Sequence, residues 1–160
     1  MTAALKRKPE RLPPEDARQT ARLTVEQLAD GFGTRTRVMP QAEVLFRRGT
    51  LNARQLRAAT RIYASWALGI CGAHDADASG GGTADYGGYR DAQIDAATEY
   101  RRIRDAVGGR LWPICFSVAC EDFSPARWAN ERGGGMHKAA AVQLLRLALD
   151  YAGDALGDDG

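Results

Sequence analysis

Glycine punctuates this chain more sharply than any other residue type, and its placement constrains the fold class. Seven Gly lie between residues 69 and 89, a pair stands at Gly108-Gly109 and a triplet at Gly133-Gly134-Gly135. Glycine costs about 1 kcal/mol against alanine inside a helix and also weakens strands, so these clusters are stops. The stretches between them repeat apolar residues every three or four positions, the period of an amphipathic helix. Only six Val and five Ile in 160 residues argue against a large sheet, while abundant Ala, Leu and Arg favour helix. With 44% hydrophobic and 26% charged residues, the chain has material for one core and too much of it for wholesale disorder. The expected fold is all-α: a small helical bundle ending in a helix-turn-helix-like unit, behind a flexible N-terminal tail.

Residues 1–49 read as that tail or linker, broken by Pro9, Pro13 and Pro14. A short helix is expected from Thr24 through Leu28 and Ala29, since Gln27 stands three residues after a Thr cap and Asp30-Gly31 supplies a stop. Pro40 interrupts an extended Arg35 to Met39 segment. Residues 50–156 form the helical domain. Its first helix, about Asn52 to Leu68, turns Leu56, Ala59, Tyr63 and Trp66 inward and Arg54, Arg57 and Arg61 outward. A Gly/Asp loop covers 69–89. The next helix, about Asp91 to Val107, starts on Asp91 as a cap and repeats Ile94, Ala97, Tyr100 or Arg101, Arg104 and Val107.

Residues 111–156 hold three helical segments. Leu111 to Cys120 is mostly apolar and belongs in the core. Ser124-Pro125 is a strong start for a helix with Trp128 and Ala129 inward, because the Ser side chain accepts from an orphan amide and Pro lacks a donor where none is needed. The last helix, about His137 to Leu156, places Ala141, Leu145, Ala148, Ala152 and Ala155 on one seam. Gln143, Arg146, Asp150 and Asp154 lie away from it, and Gly153 is expected to fray its final turn.

The net charge of +2 leaves no strong global field for nucleic acid or membrane. Its distribution is uneven: ten basic and six acidic residues to position 50, eight and seven to 110, four and seven thereafter. No acidic residue lies between Arg47 and Arg61, so Arg47, Arg48, Arg54, Arg57 and Arg61 form the longest purely basic segment. It reads either as a solvated face or as a patch for phosphate or an acidic protein surface. The charged residues from Met1 to Lys8 replace the apolar region of a secretion signal, and no later stretch is apolar enough to span a membrane. Three Cys fit reduced thiols in a cytoplasmic protein.

The chemistry-bearing patterns are incomplete. Asp75, Asp77, Ser79 and Gly80 imitate the opening of a calcium loop, but Tyr86 stands where the closing Glu belongs and Gly82 where an apolar residue would pack. Cys71 and His74 have a zinc-like spacing with Cys115, Cys120 and His137 as imagined partners; yet Cys115 and Cys120 would sit roughly 140° apart around a helix. Gly80 to Gly82 lacks the Lys-Ser/Thr of a phosphate loop, and no nucleophile and base share a motif. The expectation is a non-enzyme with no metal and no cofactor.

The last 40 residues have the outline of a helix-turn-helix, with Ala129 and Gly133 at the spacing of the packed pair, Val142 available inward, and Arg132 where an apolar residue is more usual. At the start of its second helix stand His137, Lys138 and Gln143, whose donors suit base edges or a protein surface. Asp150, Asp154, Asp158 and Asp159 would repel a phosphate backbone.

Residues 50–156 resemble a bacterial and prophage helical domain found at the C-terminus of gene transfer agent activators and similar phage-like regulators. The resemblance rests on Leu51-Asn52-Ala53-Arg54-Gln55-Leu56-Arg57-Ala58, on the Gly/Asp loop before Asp91 and on Arg101-Arg102-Ile103-Arg104 ending at Val107-Gly108. The Cys-containing core helix and the run Ala139 to Asp150 continue it. That family's domain looks like the polymerase-contacting part of sigma factors. The resemblance therefore implies transcription regulation through RNA polymerase and/or promoter DNA; the alternative is a helical interaction or phage assembly module that binds no DNA.

Overall fold

The structure is a computed structural model and describes residues 23–27, 34–72 and 86–157. The chain divides into two compact units, residues 1–40 and 41–160. In the first, β1 (Leu23–Gln27) pairs antiparallel with β2 (Thr34–Val38), in a register running from Leu23 opposite Val38 to Gln27 opposite Thr34. The short helix expected over 24–29 is thus replaced by a strand at 23–27. A helix of about six residues is marginal alone, whereas a hairpin gives each strand's backbone a partner and suits the β-branched Thr24, Val25, Thr34, Thr36 and Val38.

The second unit is all-α and begins at Gln41, earlier than the expected boundary at 50. Helix α1 (Gln41–Arg47) lies inside the expected linker and buries Ala42 and Leu45. Its start is capped from afar: the Gln41 amide donates to Asp122 Oδ1 at 2.6 Å. A turn through Gly49 (φ +69°) leads to α2 (Ala53–Gly69). A reciprocal capping box opens α2, with the Gln55 amide donating to Asn52 Oδ1 (2.8 Å) and the Asn52 amide to Gln55 Oε1 (3.1 Å).

The buried stripe of α2 is Gln55, Ala58, Ala59, Ile62 and Ser65. The inward face expected from Leu56, Ala59, Tyr63 and Trp66 is therefore misplaced by about 90° around the helix, sharing only Ala59. The two aromatics form a rim instead. Tyr63 lies 6.0 Å from Trp66, which meets Phe116 edge-on at 5.8 Å; Phe116 neighbours Trp112, and Trp112 meets Tyr100 edge-on at 5.4 Å.

Helix α3 (Tyr86–Val107) begins five residues before Asp91, which is an interior residue of the helix and not its cap. Near its start the Tyr89 hydroxyl donates to the Gly72 carbonyl at 2.8 Å, tying the beginning of α3 to the end of α2. Ala97, Tyr100, Ile103 and Val107 face inward, but Ile94 is 59% exposed, against expectation. Gly108 (φ +79°) ends the helix. Helix α4 (Trp112–Ala119) carries Pro113 in its first turn and buries Ile114, Cys115, Ser117 and Val118. Helices α5 (Pro125–Glu131) and α6 (Lys138–Leu156) complete the unit.

Ile62, Ile103, Ile114, Leu145 and Leu149 are the largest apolar side chains at the centre of the core, which α6 reaches from contacts with α2, α3, α4 and α5. Among the described residues no helix is long and apolar enough to cross a membrane. The calcium-like Asp75, Asp77, Ser79, Gly80 and Gly82, and also His74, lie outside the described residues, as does Asp158-Asp159.

Candidate protein-interaction surface

Helices α5 and α6 pack through a tight turn with local causes. Ser124 Oγ accepts the Arg127 amide at 3.1 Å and Pro125 occupies the first turn. At the other end the Arg132 and Gly133 amides both donate to the Trp128 carbonyl at 2.8 Å, and the Gly135 amide donates to the Ala129 carbonyl at 3.1 Å. A Cβ on Gly133 would stand 2.9 Å from Ala129 Cα, so this glycine is required by close approach. Gly134 (φ +63°) and Gly135 (φ +81°) are required by backbone conformation. Trp128 and Ala129 are buried as expected.

Arg132 also finds its explanation. It is not an apolar position gone wrong: its guanidinium pairs with Glu121, donates to Ser117 Oγ at 2.8 Å and lies 4.5 Å from the Phe123 ring centroid. Arg127 lies 4.0 Å from the same centroid. The Arg132 hydrogen bond, with Ser117 beside it, holds the Glu121 carboxyl below the usual carboxylate range.

His137 caps α6, its Nδ1 accepting the Ala139 amide at 3.2 Å. It therefore serves the helix start as well as the surface. Lys138 and Gln143 are exposed. Leu147 and Tyr151 are 44% and 45% exposed and continue the Gln143 stripe at intervals of four, whereas Lys138 lies about 140–180° from that stripe around the helix. The pair lies about 90–130° from the Ala141, Leu145, Ala148 and Ala152 seam, and the sequence pattern alone does not show that it stays outside the core.

The basic segment does not form one free patch. Arg47 pairs with Glu43 at 2.8 Å, and Arg48 and Arg57 are exposed. Arg54 pairs with Asp154 and rests against Gly153, which is buried rather than frayed. Arg61 grips Glu99 with two bonds, 2.6 and 2.9 Å, and Ser65 donates to the same carboxylate. The Arg61 hydrogen bond is the main cause that lowers the Glu99 carboxyl, against a smaller opposing effect of burial. The α6 residues expected to stay clear of the packing join in: Gln55 donates to Asp150 at 3.0 Å and Arg146 to the Thr50 carbonyl at 2.7 Å. Asp154 lies 16 residues beyond Lys138, about 24 Å along α6, so the Arg54 pair and the Lys138 end are well separated.

Among the described residues no three His, Cys, Asp or Glu side chains are grouped to hold a metal. Burial pushes the Cys115 thiol up strongly, and Cys120 is pushed up to about 12, chiefly by burial and then by neighbouring Cys71 and Glu121. A cleft of about 240 Å³ beside Thr50, Asn52, Gln55 and Arg146 is bordered by polar groups already engaged in the capping box and the bonds just described. Compared with protein-family models, with curated proteins and with solved structures, the chain finds no match.

Proposed function

We propose that this protein is a phage-like transcription regulator whose α5–α6 unit docks on RNA polymerase. The observation that carries the reading is one outer stripe of α6, on which exposed Gln143 is followed at intervals of four by the exposed apolar pair Leu147 and Tyr151. A helix tracking phosphates needs cations along that course. The Gln143, Leu147 and Tyr151 stripe carries none, and Arg54 and Arg61 of α2, two of the residues expected to contact phosphate, are paired with Asp154 and Glu99. Half-exposed Leu and Tyr beside polar residues suit a protein surface, where aromatic and aliphatic anchors supply binding energy inside a polar rim. The resemblance of residues 50–156 to the polymerase-contacting domain of phage-like activators points to the same partner. The reading is of a non-enzymatic, cytoplasmic protein.

The test is retention of purified bacterial RNA polymerase by the immobilised protein, beside a promoter gel shift at low salt. Retention that is lost with Leu147→Asp and Tyr151→Asp, both folded by circular dichroism, is the expected result. Absence of retention by the unmodified protein refutes the reading. A gel shift abolished by Lys138→Ala and Gln143→Ala, with the polymerase ignored, would assign α6 to the DNA groove instead.

A further inference from the structure

A second surface lies on α3, away from the residues used above. Arg90 and Arg101 are eleven positions apart, about 20° apart in azimuth and about 16 Å apart along the helix. Both are exposed, and neither has an ion pair or hydrogen bond to a side chain among the described residues. Arg47, Arg54, Arg61, Arg104, Arg127 and Arg132 each have a carboxylate partner, whereas Arg48 and Arg110, like Arg90 and Arg101, have none among the described residues; what distinguishes Arg90 and Arg101 is the cleft they flank. Between the two cations, on the same face, stand Ile94 and Ala97. They join Gly69 and Gln93 around a cleft of about 300 Å³.

Three features make this face unusual for a purely solvated one. Ile94 presents an aliphatic side chain, 59% exposed, where the helix pattern expects core. The floor of the cleft is set by close backbone contact, since a Cβ on Gly69 would fall 2.3 Å from the Ala97 nitrogen. Three of the four carboxylates of α3 stand off the line of the cations, Asp91, Asp95 and Glu99 being about 100°, 140° and 180° from Arg90 around the helix, with Glu99 engaged by Arg61; Asp105, one turn beyond Arg101, pairs with Arg104.

We infer that the Arg90–Ile94–Ala97–Arg101 face of α3 is a docking site for an acidic amphipathic helix of another protein. Its carboxylates meet the two guanidinium groups and an aliphatic or aromatic side chain between them enters the cleft beside Gly69. The charge complementarity selects the occupant, because a cleft flanked at both ends by cations that have no carboxylate partner among the described residues repels a basic helix and rewards one with carboxylates about three turns apart. The apolar floor separates this occupant from a nucleic-acid backbone, which would offer phosphates to the arginines and leave Ile94 without a partner. The site does not rest on the polymerase reading of α5–α6 and stands or falls separately.

The probe is a synthetic helical peptide of roughly 20 residues, long enough to hold a helix once docked. It carries Glu at two positions eleven apart and Leu between them on the same face, with a version bearing Lys for Glu as the comparison. Binding is read by fluorescence anisotropy and mapped by amide shifts in ¹⁵N-labelled full-length protein. The expected result is saturable binding of the Glu peptide alone, shifts centred on Gly69, Ile70 and Arg90 to Arg101, and weakening by about tenfold or more in Arg90→Glu/Arg101→Glu. Ile94→Asp weakens it as well, while Arg48→Glu leaves it unchanged; all variants are exposed positions whose folding is checked by circular dichroism. No saturable binding, or binding indifferent to the Arg90/Arg101 reversal, overturns the inference. Tighter binding of a short DNA duplex at the same amides would reassign the face to phosphate.

Discussion

Gly69→Ala sets local helix propensity against tertiary packing at a single atom. At the last residue of α2, replacing Gly by Ala should add at most about 1 kcal/mol of helix stability, less at a terminus than mid-helix. The structure reverses the sign. The added Cβ would fall 2.3 Å from the Ala97 nitrogen, 2.6 Å from its Cα and 2.7 Å from the Ala96 carbonyl carbon. All three are backbone atoms of α3, so no side chain can swing aside and the helices must separate. Overpacking of this kind costs about 1–3 kcal/mol, and a backbone neighbour puts it toward the upper end. After the propensity gain the net loss is about 1–2 kcal/mol, or roughly 4–8 °C in Tm for a domain of this size. Gly153→Ala is the internal control. The three nearest atoms its Cβ would meet all belong to the Arg54 guanidinium, at 3.1–3.4 Å, a group on a flexible stem that can shift for the loss of at most one exposed ion pair. That variant should be neutral or slightly stabilising, within about 0.5 kcal/mol of the original. Urea unfolding of the three proteins, followed by far-ultraviolet circular dichroism, measures both differences. A Gly69→Ala protein as stable as the original would refute the close approach of α2 to α3.

Two further outcomes follow from ionisable groups. Because Arg61 lowers the folded-state pKa of Glu99, the pair stabilises above the unfolded carboxyl range near pH 4.3 and is lost as pH falls through the lower folded value. Glu99→Gln should therefore cost about 0.5–1 kcal/mol at pH 7, discounted because Arg61 is 61% exposed, and the gap should close as the pH is lowered below the unfolded carboxyl range; a gap that persists in acid would contradict the assignment. The thiols should separate kinetically: with Cys115 and Cys120 pushed far up by burial and Cys71 exposed, a thiol-exchange reagent at pH 8 should modify Cys71 rapidly and the other two only on unfolding. Equal rates for all three in the native protein would show that the burial of α4 is wrong.

Much of the helical unit was readable one segment at a time. Ser124-Pro125 marks the start of α5, Gly133 to Gly135 its end, and Gly108 the end of α3, because caps and left-handed stops act within a turn of their own position. The Ala141, Leu145, Ala148 and Ala152 seam of α6 survived for the same reason, being a period in one helix. The inward face of α2 did not. Its buried stripe includes Gln55 and Ser65, polar residues that a hydrophobic pattern turns outward but that are satisfied by Asp150 and Glu99 from two other helices. Rotating α2 onto that stripe swings Arg54 and Arg61 to the borders of the contact, where they meet Asp154 and Glu99; this is how a basic run in sequence becomes a set of ion pairs.

The candidate surfaces divide along the same line. Lys138 and Gln143 were legible as exposed positions at the head of a helix. The Leu147 and Tyr151 pair and the Arg90–Arg101 face were not, because an apolar residue at helical spacing is ordinarily core, and only the packed neighbours show which ones remain outside. Local signals in the sequence thus determined where α2, α4, α5 and α6 begin and end and where α3 ends, through caps, glycine stops and the period of apolar side chains, but not the start of α3, which runs through Gly87 and Gly88 from Tyr86 instead of beginning at Asp91. Tertiary structure alone decided that α1 exists, since its first amide is capped by Asp122, 81 residues away. It also decided that 23–27 is a strand and which arginines stay unpaired. Those outcomes depend on partners distant in sequence, whose identity is set by how whole helices and strands pack rather than by the preferences of the residues themselves.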